Sequence, residues 1–514
     1  MIDERSAGFV ALGIARATGR PVVVTCTSGT AAANLHPAVA EAREGSVPLL
    51  VLTADRPPEL RDVGAGQSIP QLDLYGRAAK WFVEVGNHEP GRASAVHHRA
   101  LACRAVATAG SGRPGPVHLN FPLREPLAPV PEELDAADWA GRPDGRAWTD
   151  LLPLDGNPEA GDVAARLRSA ARGVIVCGEG PEPVAEPVAR LAATLGWPIL
   201  ADPLSGVRCG PHDRSHVVAH YDVLLRVDAF AGSHRPDLVL RVGAAPVSQS
   251  LRAWLAASHQ IVIDPYASWN DPSRAADLCL AARPAALLDA LAGEAADLDP
   301  AWLGSWREAD ALVPEALARA ADPFEGKVAG ALEPVLPHDA LLWLSYSMPI
   351  RDVEAFFPTS PKPLRFLAGR GANGIDGVAS SAAGAALGSG RPTFLLTGDV
   401  ALLHDVGGLL TSRRAGAEIT VMCLNNDGGG IFDFLPVARA AEAEAYERHI
   451  ATPHGIDLAA VAALAGLEHR SATTVQELRD AVGTPALVEV RTDRRANVAL
   501  HREVVEGVAS DLRQ

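Results

Sequence analysis

Short apolar runs recur along this chain, each closed by a turn rich in Gly, Asp or Asn and separated from the next by an Ala-rich stretch of helical length. Arg20-Pro21-Val22-Val23-Val24-Thr25, Val47-Pro48-Leu49-Leu50-Val51-Leu52 and Ile419 to Leu424 are examples. Such runs lack the alternation of a half-exposed strand, so they belong in strands covered on both faces. Helices between them make the sheet parallel, which sets the fold class as α/β with doubly wound parallel sheets. At 514 residues the chain exceeds one ordinary core.

The pattern restarts twice. A first block, residues 1–127, has the two runs above as strands, a helical stretch over Ala31–Ala42 and a closing strand at Pro114–Asn120. Residues 128–161, rich in Pro, Gly, Asp and Trp without periodicity, read as a linker. A second block, 162–325, has strands at Gly173–Cys177, Pro198–Ala201, Leu238–Val242 and Gln260–Asp264, with a helix over Val184–Leu195. Its Gly178-x-Gly180 reads as a tight strand–helix turn. The third block, 326–514, has strands near Leu341–Leu344, Thr393–Thr397, Ile419–Leu424 and Ala486–Val490, and a last helix at Asn497–Leu512.

Composition removes several function classes. A net charge of −16 argues against nucleic acid or an anionic membrane as partner, and no apolar run reaches the length of a membrane span. Cytoplasm is the expected compartment. Six scattered cysteines without a CxxC pair speak against a disulfide framework or a Cys-type zinc site. There is no GxxxxGK[ST] string, and only Lys80, Lys327 and Lys362 stand against 43 arginines, so anion binding falls to arginine.

The chemistry concentrates in the third block. Gly398-Asp399 ends one apolar run and Asn425-Asn426 ends the next, followed by Asp427-Gly428-Gly429-Gly430. Parallel strands place both polar ends at one sheet edge. A carboxylate, an amide oxygen and a backbone carbonyl suit a small hard cation that keeps positions for phosphate oxygens. Arg370-Gly371-Ala372-Asn373-Gly374-Ile375-Asp376-Gly377 is a second Gly-rich turn before a helix-like stretch, Ala379–Leu387. It is either an anion seat at a helix start or a surface loop. In the first block, Glu4 sits at a helix start where it complements the dipole. Thr27-Ser28-Gly29-Thr30 reads as a helix cap. Asp55-Arg56-Pro57-Pro58 stiffens a turn that aims Arg56 at the sheet edge.

Taken together, IDERSAGF (2–9), TSGTAAAN (27–34), LTADRPPELRDVGAGQ (52–67), RGANGIDG (370–377) and LNNDGGGIFDFLP (424–436) closely resemble one family across essentially the whole chain. It is the thiamine-diphosphate (ThDP) dependent 2-succinyl-5-enolpyruvyl-6-hydroxy-3-cyclohexene-1-carboxylate synthase (MenD) family of menaquinone biosynthesis. The resemblance implies a pyrimidine-binding domain (1–127), a middle domain (162–325) and a diphosphate-binding domain (326–514). It also implies a homodimer or homotetramer, with the cofactor between the first domain of one chain and the third of another. The implied activity is that of a transferase. It decarboxylates 2-oxoglutarate and adds the resulting succinic-semialdehyde carbanion to isochorismate.

By the same resemblance, Glu4 partners the cofactor's aminopyrimidine. Asp399, Asn426 and Gly428 hold Mg²⁺ or Mn²⁺. Ser28, Gly29, Thr30, Ile375, Gly398 and Ile431 belong to the cofactor site. Arg56, Arg351 and Arg370, with Ser347 and Gln67, bind the two dicarboxylate substrates. Phe432 and Leu435 continue the apolar wall of Ile431. The sequence departs from the family at Gln249, where a lysine is usual, and at Gly66, where Asn is commoner. The family also has residues before the glutamate matched by Glu4, including a Ser-Arg pair, and a truncated first domain is the expectation. Other ThDP enzymes, of the acetolactate synthase or 2-oxoacid decarboxylase type, would share Glu4 and the Asp399–Asn426 pair but not the three arginines together. An inactive paralogue is the remaining alternative.

Overall fold

The structure is a computed structural model that describes residues 1–86, 89–128, 136–149, 161–268, 271, 275–293, 300–482 and 485–513. Among these, sixteen strands form three sheets in which every pairing is parallel. The chain divides into two compact units.

The first unit comprises Met1–Asp155 with Gly369–Gly390 and Asp405–Ala417. Its sheet has the order β1-β2-β4-β3, with β1 at Val22–Cys26, β2 at Leu49–Asp55, β3 at Trp81–Glu84 and β4 at Val117–Pro122. The strand β3 was not expected. It lies at the edge, half-buried throughout, and is only four residues long. The opening helix, Glu4–Thr18, is capped by Asp3, whose carboxylate accepts from the Arg5 N–H at 3.0 Å. This helix lies against the helix Val378–Ser389 at backbone range. A Cβ on Gly13 would meet the Ser381 carbonyl oxygen at 2.1 Å, and one on Gly384 would meet that of Val10 at 2.2 Å. Only glycine permits this approach.

The helix expected over Ala31–Ala42 is two helices, Thr30–Asn34 and His36–Glu44, which meet at Leu35. Pro37 has no N–H to donate to the carbonyl of Ala33, so one helix stops and another starts on the proline. Within the expected linker, Ala136–Trp139 is a short helix. Arg99 and Arg92 of the helix Arg92–Gly110 donate to the carbonyls of Trp139 and Ala140, at 2.7 and 2.9 Å. Residues 129–135 and 150–160 of that linker lie outside the described residues.

The second unit comprises Gly156–Ala368, Arg391–His404 and Glu418–Gln514. One of its sheets has β5 (Gly173–Cys177), β6 (Ile199–Ala201), β7 (Val217–Val218), β8 (Leu238–Val242), β9 (Gln260–Ile263) and β10 (Ala276–Leu280), in the order β10-β9-β8-β5-β6-β7. The other has β11 (Leu341–Leu344), β12 (Arg365–Ala368), β13 (Thr393–Gly398), β14 (Ile419–Asn425), β15 (Glu468–Ala472) and β16 (Ala486–Arg491), in the order β12-β11-β13-β14-β16-β15. The central strands β5, β8, β11 and β14 are buried almost throughout, as their apolar runs require.

A single core that includes Val174, Trp306, Leu342, Leu396 and Met422 runs through both sheets. Each such side chain contributes about 1.5–3 kcal/mol when fully buried. The buried Arg208 ties the first of these sheets to the helix Met348–Phe356: it donates to the carbonyls of Ala201 (2.7 Å) and Val353 (2.9 Å). The last helix starts at Arg494, three residues ahead of the expected Asn497, because Asp493 caps it through the Ala496 N–H at 2.7 Å.

Candidate functional site

Strands β13 and β14 run side by side with Gly398 opposite Leu424, so Asp399 and the Asn425-Asn426 pair leave the sheet at the same edge. Asp399 is 2% exposed. Its Oδ1 accepts from the Val400 N–H at 2.8 Å, and its Oδ2 accepts from the Gly428 N–H at 2.8 Å and from His454 Nε2 at 3.1 Å. The Ile456 N–H donates to His454 Nδ1 at 3.0 Å, which leaves the ring hydrogen on Nε2. Burial pushes the Asp399 carboxyl above the usual carboxylate range, against the pull of these hydrogen bonds.

Gly428 adopts φ 139°, and a Cβ there would meet the Ala451 carbonyl oxygen at 2.3 Å. Asn426 donates from Nδ2 to Glu325 Oε1 at 2.8 Å, while its Oδ1 is buried without a hydrogen-bond partner. A buried acceptor left in this state costs about 1–3 kcal/mol unless something else satisfies it. The orphaned oxygen, the Asp399 carboxylate and the Gly428 carbonyl are all hard donors. They fit a divalent cation of the Mg²⁺ class that reserves positions for phosphate oxygens.

Glu325 was not singled out from the sequence. It is a lone acidic residue at the start of the helix Glu325–Val335, 101 residues from its partner Asn426. Burial, with Asp352 and Asp399 nearby, raises its pKa to about 7.

In the first unit, Glu4 is half-buried at the start of its helix. Burial, with the Glu4 charge added to it, raises the Cys26 thiol to about 11, so the glutamate lies near the C-terminal end of β1. The turn after β1 differs from the expected cap. Gly29, with φ 83°, holds the N-cap position and no side chain caps the helix Thr30–Asn34. Gln71 holds the turn instead, accepting from the Gly29 N–H at 2.7 Å. Ser28 is buried and Thr30 exposed.

Arg56 follows β2 and donates from Nε to the Gly66 carbonyl at 3.1 Å and from Nη2 to Gln67 Oε1 at 3.4 Å, so these two predicted site residues meet. Beneath them Asp55 is fixed by Arg61 at 2.8 Å and Asn120 at 2.9 Å. The loop that bears Arg370 and the half-buried Ile375 is tied to Glu41, whose two carboxylate oxygens accept from the Gly371 and Ala372 N–H groups, each at 2.7 Å. Glu41 also escaped sequence reasoning, since 330 residues separate it from Gly371.

In the second unit, Ser347 precedes the helix Met348–Phe356 with φ 75°, and Arg351 one turn later donates to its carbonyl. A serine held there is strained by about 1–3 kcal/mol, a feature concentrated at functional sites. Ile431 is half-buried, and Phe432 and Leu435 are exposed at 38% and 44%. Gln249 lines a cavity with Arg241, Pro246 and Arg252.

Three family models match the chain in order. They are the N-terminal TPP-binding domain of thiamine pyrophosphate enzymes over residues 1–74, their middle domain over 157–344, and their C-terminal TPP-binding domain over 351–490. The 2-succinyl-5-enolpyruvyl-6-hydroxy-3-cyclohexene-1-carboxylate synthase of Geobacillus thermodenitrificans is 44% identical over 99% of this chain and 89% of its own length. Those of Myxococcus xanthus and Haloarcula marismortui are 42% and 40% identical, over 100% and 99% of this chain and 90% and 91% of their own lengths. With three parallel α/β sheets and the Asp399–Asn426–Gly428 edge in register, the chain belongs to the thiamine pyrophosphate enzymes and, within them, to the 2-succinyl-5-enolpyruvyl-6-hydroxy-3-cyclohexene-1-carboxylate synthase family.

Proposed function

We propose that the chain is a ThDP-dependent transferase of menaquinone biosynthesis. It decarboxylates 2-oxoglutarate and joins the remaining four-carbon unit to isochorismate, giving 2-succinyl-5-enolpyruvyl-6-hydroxy-3-cyclohexene-1-carboxylate. The observation that carries this reading is the similarity over nearly the whole chain to synthases of that name, coupled to a metal-ready edge where Asn426 Oδ1 is buried and unpaired. Residues 1–127, 162–325 and 326–514 serve as the pyrimidine-binding, middle and diphosphate-binding domains, in the order of the three family models, of which the middle one runs on to residue 344.

Bound ThDP supplies the electron sink for decarboxylation and carbon–carbon bond formation. Asp399, Asn426 Oδ1 and the Gly428 carbonyl would hold Mg²⁺ or Mn²⁺, and Gly398 lets the chain turn into this set. Glu4 exchanges a proton with N1′ of the aminopyrimidine. Ser28, Gly29 and Thr30 shape the turn beside it, and Ile375 and Ile431 are its apolar supports. Arg56, Arg351 and Arg370 bind the substrate carboxylates, since guanidinium pairs with them bidentately and does not lose its charge. Ser347 and Gln67 add neutral hydrogen bonds, and Phe432 and Leu435 exclude water.

The net charge of −16 fits small-molecule substrates better than nucleic acid, and no helix among the described residues is long and apolar enough to cross a membrane. The enzyme acts in the cytoplasm as a homodimer or homotetramer, with Glu4 of one chain serving the metal-site residues of another. Incubation with 2-oxoglutarate, isochorismate, ThDP and Mg²⁺ tests the reading. CO₂ release together with a product of the expected mass supports it. Acetolactate formed from pyruvate, with isochorismate untouched, refutes it.

A further inference from the structure

Asn426 presents its oxygen to the metal edge only in one of two side-chain orientations. The amide has nearly equal shape either way round, so something must choose between them. Glu325 is 1% exposed and accepts two hydrogen bonds at the same Oε1, from Asn426 Nδ2 at 2.8 Å and from Thr492 Oγ1 at 2.8 Å. Thr492 is itself placed by β14, because its N–H donates to the Asn425 carbonyl at 2.9 Å. Oε1 is the acceptor of both hydrogen bonds, so the amide turns its NH₂ toward Glu325, which leaves Oδ1 facing the other way, buried and unpaired. Gly430 completes the fit on the amide side, where a Cβ would lie 2.6 Å from Asn426 Nδ2.

We propose that Glu325 is a positioning residue for the metal site: its carboxylate anchors the Asn426 amide so that Oδ1, and not Nδ2, meets the divalent cation. This inference rests on the metal-site reading of Asp399, Asn426 and Gly428. Partners of this kind, one layer behind the ligands, orient them and raise metal affinity.

The test is Mn²⁺ binding in the presence of ThDP, read by the loss of the free-ion electron paramagnetic resonance signal, with the melting temperature of the metal-free protein as control. Glu325→Gln can either accept from or donate to the amide, so it releases the constraint at constant volume. Mn²⁺ affinity is expected to fall by about 10–100-fold while the metal-free melting temperature stays near that of the unaltered protein. The exchanged pair Glu325→Gln with Asn426→Asp restores one donor facing one acceptor, with an oxygen turned to the metal, and is expected to recover most of the lost affinity. Glu325→Asp, one methylene short of its partner, is expected to weaken Mn²⁺ as Glu325→Gln does. Unchanged affinity in Glu325→Gln, or an exchanged pair no better than that single variant, overturns the proposal. Asp399→Ala separates the two layers of the argument. If it abolishes Mn²⁺ binding while Glu325→Gln does not weaken it, only the role of Glu325 is wrong. If it too binds normally, the metal site itself is wrong.

Discussion

Replacing Glu41 tests whether the Arg370 loop is held from outside itself. The Glu41 carboxylate is buried and accepts the N–H groups of Gly371 and Ala372, each at 2.7 Å, with Arg16 at 3.9 Å behind it. Hydrogen bonds to a charged acceptor contribute about 1.5–3 kcal/mol when buried. Ala372 is exposed and can turn to water, so the lower end applies. Two such bonds then sum to about 3 kcal/mol lost in Glu41→Ala. Part of that is global stability, read from the urea midpoint. The rest is local order of the Arg370 loop, read as a rise in KM for the substrate that Arg370 is proposed to bind; each 1.4 kcal/mol corresponds to about tenfold. Glu41→Gln keeps one acceptor and should lose about half as much. ThDP affinity should hold in both. Because Glu41 acts through the loop, Glu41→Ala should add little to the KM of an Arg370→Ala protein, a non-additivity expected of groups acting as one unit. If Glu41→Ala keeps both its urea midpoint and its KM values, or if the two substitutions add in full, the loop is anchored by something else and the reasoning fails.

Asp399→Ala should abolish retention of ThDP with Mg²⁺ in calorimetry, since it removes the one carboxylate of the donor set; cofactor affinity like that of the unaltered protein would reject the assignment. Glu4→Gln should leave ThDP bound but slow hydrogen–deuterium exchange at the cofactor C2, followed by NMR, by about 10²–10⁴-fold. An unchanged exchange rate would remove Glu4 from that role. His118 gives a pH prediction. Thr53 donates to Asn120 Oδ1 at 2.7 Å and so accepts from His118 Nε2 at 2.8 Å, leaving Nδ1 buried without a partner, and burial lowers the His118 pKa to about 4. An unfolded histidine titrates near 6.5, so below that pH the unfolded chain takes up a proton that the folded chain refuses. The contribution of His118 is complete above about pH 6.5 and is lost as pH falls toward 4, by roughly 3 kcal/mol in all. Urea midpoints of the unaltered protein and His118→Gln should therefore converge as pH falls through that window; a gap of constant size would disprove it.

The strands that build the metal edge were legible because a parallel strand buried on both faces must be a continuous apolar run, and because the turn at its C-terminal end needs small and polar residues. Thr393–Gly398 and Ile419–Asn425 meet both conditions, and their register brings Asp399 and the Asn425-Asn426 pair out at one edge as their order along the chain implies. Edge strands escape that logic. Glu468-His469-Arg470-Ser471-Ala472 is exposed or half-buried up to its last residue and carries no apolar run, so β15 exists through its pairing with β16 rather than through its own composition. The turn at Ser28-Gly29-Thr30 looked like a side-chain cap, but the distant Gln71 holds it.

Local sequence determined which residues leave the sheet edge, because strand burial and turn geometry are properties of a few neighbouring residues. The tertiary structure decided which atoms of those residues are free to act. Glu325 chooses the face of Asn426 across 101 residues, and Glu41 fixes the loop of Arg370 across more than 300. A carboxylate leaves no mark on the sequence around its partner. Its effect depends on a distance of a few ångströms, and only the packing of the whole chain sets that distance.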